Sequence, residues 1–551
     1  MFFRIKPSGP RSYVQIVESF REEGRVRQRV ICTLGRTDEL SGSGELAALL
    51  ESGSRLVDGY LAFSAHSRGE APAVSCIRIG APLIFERLWA EIGCREVISS
   101  LAGSRKHEFS LERAVFLSVL HRLVCSGSDR AAERWRQDYA IEGTADLDLH
   151  HLYRAMAWLG EELDDQVGVA EWAKRCTKDR IEEALFARRR DLFTDLELVF
   201  FDTTSIYFEG EGGTLGAHGY SKDHRPDLKQ MIVGAVIDSS GHPLCCELWP
   251  GNVTDVKTLL PVIRRLKDRF GIGRVCFVAD RGLISQDNVQ ALEDAGIDYI
   301  LGARMRRDAE VSERVLRHPG RFQIVRKGGW IDEERAPLEV KEVVLEGRRY
   351  VICRNDEQAA KDAADREAIL KSLKAQLKRG AKQLVGNTGY RRFLKASKDG
   401  FTIDLKAIER EARYDGKWVL RTNTQLPTAE VALKYKQLWT VEDLFRTTKT
   451  ILDTRPIFHR TDAAIRGHVF CSFLALVLRK ALRDKLDAAG ESFEWQPMLA
   501  DLDALQYVDI VHHGNRYRLR TATRGAAGAV FKAVGVALPP TLQPQETAQA
   551  A

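Results

Sequence analysis

Asp202, Asp280 and Glu442 are the residues whose types and settings point to chemistry. Asp202 ends the apolar run Leu198-Val199-Phe200-Phe201 and precedes Thr203-Thr204. Asp280 ends Val275-Cys276-Phe277-Val278-Ala279 and precedes Arg281-Gly282. Short apolar runs of this kind read as buried strands. A carboxylate at the end of one is costly unless a cation meets it. Singly, each has an ordinary reading: Asp202 as a turn cap with Thr203 and Thr204, Asp280 as the ion-pair partner of Arg281. On neighbouring strands, two such carboxylates repel, and one takes up a proton unless a metal neutralises both. Tyr435, Glu442 and Lys449 recur at a seven-residue spacing. On a helix that is nearly two turns, so the three share one face. Phe445 and Arg446 flank Glu442 on it. The plain alternative is a solvated face with incidental spacing. Three carboxylates on elements of one plausible sheet predict a divalent metal site and phosphoryl transfer on nucleic acid.

The elements that must position them follow from periodicity. Leu198–Phe208, Leu228–Asp238 and Pro243–Trp249 read as three strands, the last two joined by Asp-Ser-Ser-Gly-His. Asp255–Phe270 is an amphipathic helix, with Asn252 and Asp255 as candidate caps. Arg274–Asp280 is a strand, Ser285–Ala295 a helix capped by Ser285, and Ile297–Ala303 a strand. Three strands, helix, strand, helix, strand describe an α/β layer with a mixed sheet, the element order of the ribonuclease-H-like fold. In that order the first and fourth strands can lie side by side. Strand-like pieces at Phe322–Val325, Leu338–Leu345 and Tyr350–Cys353, with a charged helix over about 360–380, read as a β-rich insertion domain. Trp418–Thr424 resumes as a strand, and Thr428–Leu452 is expected to be one long helix.

The expected domains are a small strand-rich module over 1–72, a helical region over 75–195, a catalytic core over 196–304 and 416–482, an insertion over 305–415, and a C-terminal region over 483–551. The first contains a hairpin of Tyr13–Val17 and Arg29–Leu34 around Arg-Glu-Glu-Gly, then Gly/Ser clusters at 41–44 and 52–54. The helical region includes Leu111–Val124 and Val167–Leu185, and closes on Arg188-Arg189-Arg190. The last dozen residues read as a disordered tail.

Bulk composition narrows the class. At 551 residues and 44% hydrophobic, the chain has material for several cores and is not globally disordered. The formal net charge of +6 neither demands nor excludes nucleic acid, so the placement of basic residues matters more. The 10 Cys include no CxxC pair, which argues against a zinc ribbon and a secreted disulfide framework and for a reducing cytoplasm. The 13 His show no zinc-ligand spacing, consistent with an all-carboxylate site. The N-terminus lacks a signal-peptide core, and the apolar run Val469–Leu478 is too short to span a bilayer, so no membrane partner is expected.

With these residues in place, the chain resembles a DDE insertion-sequence transposase of the IS-four family. That family carries Tyr-x2-Arg-x3-Glu-x6-Lys after its last strand. Tyr435, Glu442 and Lys449 match in spacing; Leu438 stands where Arg is expected, leaving Arg446 or Lys434 to supply that phosphate contact. Gly219-Tyr-Ser-Lys-Asp-His-Arg-Pro-Asp-Leu-Lys, Gly251-Asn-Val-Thr-Asp, Asp280-Arg-Gly and Arg455-Pro-Ile-Phe-His are also similar to this group.

The resemblance implies two Mg²⁺ ions, with Mn²⁺ as a substitute, held by Asp202, Asp280 and Glu442. It implies cleavage of double-stranded DNA at terminal inverted repeats and joining of the 3′-hydroxyls to target DNA. It also implies a homodimer that synapses two ends, in a bacterial, nucleoid-associated cytoplasmic setting. Tyr435, Lys449, Arg281, Arg446, Lys222, Arg225, Arg304 and Arg306 are the expected DNA contacts, with Arg188–Arg190 and Arg307 as further backbone-tracking residues. The stretch Gly127-Ser-Asp-Arg-Ala-Ala-Glu-Arg-Trp is a helix-turn-helix-like candidate for reading the ends. A ribonuclease-H-like nuclease without strand transfer, and a transposase-derived DNA-binding protein that has lost cleavage, are the alternatives.

Overall fold

Period-two alternation folds the start of the chain into three antiparallel strands, β1 (Phe2–Ser8), β2 (Arg11–Glu22) and β3 (Arg25–Arg36). The β2–β3 hairpin closes from Tyr13↔Arg36 to Glu22↔Arg25, as the alternation around residues 21–24 predicts. A computed structural model describes residues 2–22, 25–43, 75–103, 107–166, 174–189, 198–270, 275–325, 338–379, 388–397, 400–512 and 515–545. The second Gly/Ser cluster, Arg190, the first part of the helix expected over 167–185, and the side chain of the candidate cap Asp255 lie outside the described residues. The chain forms two compact units: Met1–Cys76 with Tyr507–Thr521 and Pro539–Ala551, and Ile77–Gln506 with Ala522–Leu538.

In the first unit, β4 (Ser75–Arg78) begins a second small sheet that is completed near the C-terminus. In the second unit, β5 (Leu198–Tyr207), β6 (Gln230–Asp238) and β7 (Pro243–Pro250) form an antiparallel meander. The helix Asp255–Phe270 then crosses over to β8 (Cys276–Ala279), which lies parallel to β5. The helix Gln286–Asp294, capped by Ser285 Oγ accepting from the Asn288 N–H at 3.1 Å, leads to β9 (Asp298–Gly302), parallel to β8. β10 (Gln323–Val325), β11 (Leu338–Leu345) and β12 (Arg348–Arg354) follow. A long helix, Asp356–Arg379, the hairpin of β13 (Leu394–Ser397) and β14 (Gly400–Ile403), and β15 (Lys417–Thr422) come next.

One nine-stranded mixed sheet results, in the order β10-β11-β12-β15-β9-β8-β5-β6-β7. Of the strands between β9 and β15, β10, β11 and β12 therefore extend the core sheet, while β13 and β14 form a separate two-stranded sheet. At the chain's end, β16 (Gln506–His512), β17 (Asn515–Arg520) and β18 (Leu542–Gln545) complete the sheet begun by β4. This corrects the reading of the last dozen residues as disordered for Leu542–Gln545. These residues pair along β17, from Leu519↔Leu542 to Arg516↔Gln545, and an edge position tolerates Pro544. Residues 546–551 lie outside the described ones.

The two faces of the sheet are distinct. Val199, Phe201, Ile232, Phe277, Ala279, Tyr299 and Leu301 share a core with the helices Asp255–Phe270 and Gln286–Asp294. Successive strand residues point to opposite faces. Asp202, Asp280 and Gly302 thus belong to the other face. There Thr428–Lys436 packs on β8 and β9, and Trp439–Thr450 packs on β5 and β6.

These last two helices correct the expectation of a single helix over Thr428–Leu452. At Gln437-Leu438 the backbone tightens into a 3₁₀ turn. Leu438 N–H bonds the Tyr435 carbonyl at 3.0 Å, Thr440 N–H that of Gln437 at 2.9 Å, and Val441 N–H that of Leu438 at 3.0 Å. Leu438 is buried at the bend. Beyond it, Asp462–Ala488 is the buried helix expected around Val469–Leu478, and Leu111–Val124, capped by Ser110, is the helix expected there. No helix among the described residues is long and apolar enough to cross a membrane.

A buried ionic network ties the helix Thr177–Arg189 to β7 and to the crossover helix. The Arg269 guanidinium meets Glu183 at 2.6 Å, Glu182 at 3.0 Å, Asp179 at 3.3 Å and Glu247 at 3.5 Å. Lys178 Nζ adds Asp179 at 2.7 Å and the Cys246 carbonyl at 2.7 Å. Removing one partner from such a network strands buried charge. Arg269→Ala is expected to lower the unfolding free energy by about 3–5 kcal/mol. Chemical denaturation checks this, and a loss below about 1 kcal/mol would contradict the role given to Arg269.

Candidate active site

The parallel ladder of β5 and β8 ends at Phe201↔Ala279, so Asp202 and Asp280 are the next residues on adjacent strands and on the same face. Both are half-buried at the C-terminal end of the parallel pair, the usual place for ligand sites in open α/β sheets. Asp202 Oδ1 accepts from the Thr203 N–H at 2.7 Å. Lys222 Nζ donates to the Thr203 carbonyl at 2.7 Å and to its hydroxyl at 3.0 Å. The same residue's N–H is held by Ser205 Oγ at 2.8 Å.

Asp280 is held from the covering helix. Tyr435 Oη donates to Asp280 Oδ1 at 3.0 Å. Burial raises the pKa of this phenol first, and the charge of Asp280 and its hydrogen bond raise it further; Glu442 adds to the rise and Arg281 opposes it. Tyr435 therefore stays a donor, and its ring position registers both acids. Gly302, on the neighbouring strand, makes room for it. A Cβ there would lie 2.5 Å from Tyr435 Oη and 3.0 Å from the Arg281 nitrogen. Glu442 stands exposed on the helix Trp439–Thr450, across the bend from Tyr435.

The basic residues divide into those turned to the site and those engaged elsewhere. Lys449 lies in a half-buried pair with Asp223 at 2.7 Å, and Arg455 binds the same Asp223 oxygen. Burial pulls the Lys449 ammonium's pKa down, Asp223 works against this, and Arg455 and Lys222 add to the lowering. Arg225 chelates Asp227 and lies 5.5 Å from the Tyr207 ring centre. Arg446 is exposed and paired with Asp443. Arg304 donates to the Arg281 and Gly282 carbonyls, both at 3.0 Å. Arg306 meets Glu411 at 2.7 Å. Arg188 pairs with Glu96 at 2.6 Å, and Arg189 with Asp238.

Arg281, Arg304, Arg306 and Arg307 line a cleft of about 450 Å³ together with Tyr220, Gly282 and Met305. Lys434, one of two replacements expected for the missing Arg, is at the wrong end of the strands. It lines a cavity of about 290 Å³ with Leu198, Cys276 and Asp298, the first residues of β5, β8 and β9. Leu438 itself is buried, so that position offers nothing to a phosphate. In the helix-turn-helix-like stretch, Ser128 caps the helix Asp129–Trp135, and buried Asp129 meets Arg122 at 3.3 Å.

Sequence reasoning missed Asp223, Gly302, Arg455 and the display of Tyr220. Asp223 and Tyr220 sat inside a segment already noted for similarity, so a signal was present. For Gly302, nothing in the chain near it announces Tyr435.

The donor set suits a hard cation. Asp202, Asp280 and Glu442 offer carboxylate oxygens only, the ligands Mg²⁺ prefers. Among the described residues, two groups hold three possible ligand atoms within 4.8 Å of one another, Asp129/His459/His468 and Asp148/His150/His151; the acidic trio is not one of them. In the first group His468 is already engaged, one ring nitrogen with Arg122 at 3.1 Å and the other with the Thr454 carbonyl at 3.1 Å.

Gly302→Ala is expected to push Tyr435 off Asp280 and to lower cleavage roughly tenfold or more, with Tyr435→Phe close to it in effect. Endonuclease assays on the purified variants check this, and wild-type cleavage by Gly302→Ala would contradict the positioning role.

Residues 194–478 match the family model of the transposase DDE domain, and residues 3–62 match that of the IS1634 family transposase N-terminal domain. No curated protein matches the chain. Among solved structures, it is similar to a piggyBac transposase synaptic complex with hairpin DNA, at 10% identity over 77% of this chain and 79% of that chain, with a TM-score of 0.36. A Mos1 transposase paired-end complex with left transposon end is similar at 14% identity over 35% of this chain and 60% of that one, with a TM-score of 0.15. The DDE model spans more than half of the chain and contains Asp202, Asp280 and Glu442, and the chain belongs to the DDE transposase domain family, enzymes of DNA transposition.

Proposed function

We propose that Asp202, Asp280 and Glu442 form the catalytic centre, in a core of the ribonuclease-H-like type interrupted between β9 and β15 by an insertion. The observation that carries this is the end of the β5–β8 ladder, which sets two carboxylates next to each other on one face. The three acids would hold Mg²⁺, with Mn²⁺ able to take its place. Bound there, such ions supply the charge that stabilises an in-line displacement at phosphorus.

The chain's own groups complete the centre. Tyr435 fixes the orientation of the Asp280 carboxylate, Lys222 ties its segment to Thr203, and Arg281, the residue after Asp280, brings a positive charge to the turn beyond β8. The substrate is double-stranded DNA at the terminal inverted repeats of the element. Water attacks the phosphodiester at the end, and the P–O bond to the leaving strand breaks, freeing a 3′-hydroxyl. That hydroxyl then attacks a target phosphate, and the target's own 3′-oxygen leaves. Two copies of the chain synapse two ends, in the cytoplasm. The Tyr435/Glu442/Lys449 spacing supports a signature of the IS-four type, while the N-terminal match is to the IS1634 family, a distinct group. The helical region 75–195 is the proposed reader of the ends.

Asp202→Ala, Asp280→Ala and Glu442→Ala are each expected to lower Mg²⁺-dependent cleavage of an end duplex by about a hundredfold or more. Binding of the same duplex should stay near that of the unsubstituted chain. Gel assays of nicked and joined products check this. Full cleavage by any one of the three would remove that residue from the centre.

A further inference from the structure

The β5–β8 ladder fixes Asp202 and Asp280, but Glu442 comes from a helix outside the sheet. That helix, Trp439–Thr450, starts at the 3₁₀ bend with no side-chain cap. Its buried face of Val441, Leu444, Phe445, Thr447 and Thr448 packs on β5 and β6. Apolar packing is non-directional, so it sets how near a helix lies better than how far it turns or slides. Among the described residues, Arg446, Thr448 and Thr450 hydrogen-bond only within the helix, to Asp443, the Leu444 carbonyl and the Arg446 carbonyl. Lys449 is the exception. Its Nζ leaves the helix for Asp223 Oδ1 at 2.7 Å.

Asp223 is itself tied to β5 through its neighbour. The Lys222 N–H donates to Ser205 Oγ at 2.8 Å, and Lys222 Nζ to the Thr203 carbonyl at 2.7 Å. Thr203 and Ser205 follow Asp202 on the same strand. The turn around Asp223 is closed by the Arg225 N–H on Ser221 Oγ at 3.1 Å. His224, directly after Asp223, has a φ of +57°. A left-handed backbone at a residue other than glycine persists where its surroundings over-determine it. Arg455, which pairs with the same Asp223 oxygen as Lys449, closes the frame. Just beyond it, the Ile457 N–H donates to the Tyr207 carbonyl at 3.2 Å, and the Glu209 N–H to the Ile457 carbonyl at 3.0 Å. The chain leaving the helix therefore runs along the end of β5.

As a plain stabiliser this contact is poor. The Asp223 and Lys449 side chains are 5% and 12% exposed, both cations meet one oxygen, and Asp223 Oδ2 is buried with no hydrogen-bond partner among the described residues. An idle buried oxygen carries a desolvation cost, and apolar residues of similar volume often stabilise such a place as well or better. What the ionic contact adds is direction. Lys449 lies seven residues from Glu442, nearly two turns along the helix. Holding the Lys449 end therefore sets the rotation of the helix at Glu442.

We propose that Asp223 is a positioning residue for Glu442: it locks the last turn of the helix Trp439–Thr450 to β5 and so sets the third acid relative to Asp202. The proposal rests on the reading of Glu442 as a member of the catalytic centre. The experiment compares the full chain with Asp223→Asn, which keeps the side chain's size and removes its charge. Hydrogen exchange is followed by mass spectrometry without divalent metal, and Mg²⁺-dependent cleavage of an end duplex is measured beside it. In Asp223→Asn, amides of 444–450 should exchange roughly tenfold faster while those of Asp462–Ala488 keep their rates. The kcat for cleavage should fall roughly tenfold or more, with KM for the duplex unchanged. Unchanged exchange over 444–450 would overturn the proposal, and so would faster exchange throughout Asp462–Ala488, which would make Asp223 a general stabiliser. A loss confined to KM would also overturn it, by making Asp223 part of the DNA-binding surface. The exchange result needs neither metal nor DNA, so absence of cleavage by the unsubstituted chain counts against the catalytic reading and not against the lock.

Discussion

The pairing of β5 with β8 is the constraint on which the rest depends. A parallel ladder needs a crossover, which the helix Asp255–Phe270 supplies, and the ladder's end fixes which residues become neighbours. Phe201↔Ala279 is the last pair, and a carboxylate follows on each strand. A slip of one residue would send one of them into the apolar core with Phe201 and Phe277. The register is held by that core: Val199, Phe201, Phe277 and Ala279 are buried on one face, so Asp202 and Asp280 must take the other. Two carboxylates set side by side demand positive charge, whether from a proton, an ammonium or a metal.

Neighbouring donors meet part of that demand. At Asp280 the answer is a neutral donor, Tyr435, admitted by the missing side chain of Gly302. At Asp202 it is a backbone donor, the Thr203 N–H. A second polar hub lies nearby, where Asp223 is gripped by Lys449 and Arg455. Lys449 is thus occupied by a protein carboxylate. A DNA phosphate would have to compete with Asp223 for it, and the burial of both side chains makes that exchange electrostatically demanding.

Much of this was legible in the chain because it rests on local pattern. Apolar runs with punctuating acids located β5 and β8, and strand order predicted that they would lie together. The Ser285 cap, the helix Leu111–Val124 and the β2–β3 hairpin came from the same kind of short-range signal. The bend at Leu438 was not legible. A seven-residue spacing counts the same number of residues through a 3₁₀ turn as through an unbroken helix, and only the hydrogen-bond pattern separates them. The pairing of Lys449 with Asp223 joins residues 226 positions apart, and that of Tyr435 with Asp280 joins residues 155 apart. No local pattern carries such contacts. The strand at Leu542–Gln545 was hidden for a related reason: a short Pro-containing segment becomes a strand only because β17 offers it an edge.

The most direct measurement is the position of a bound ion. A crystal of the full chain soaked in Mn²⁺ and measured for anomalous scattering locates it without any assay of activity. A peak is expected between the carboxylates of Asp202 and Asp280, with Glu442 on the same side. An ion held only at Asp129, His459 and His468, with none at the end of the β5–β8 ladder, would contradict it.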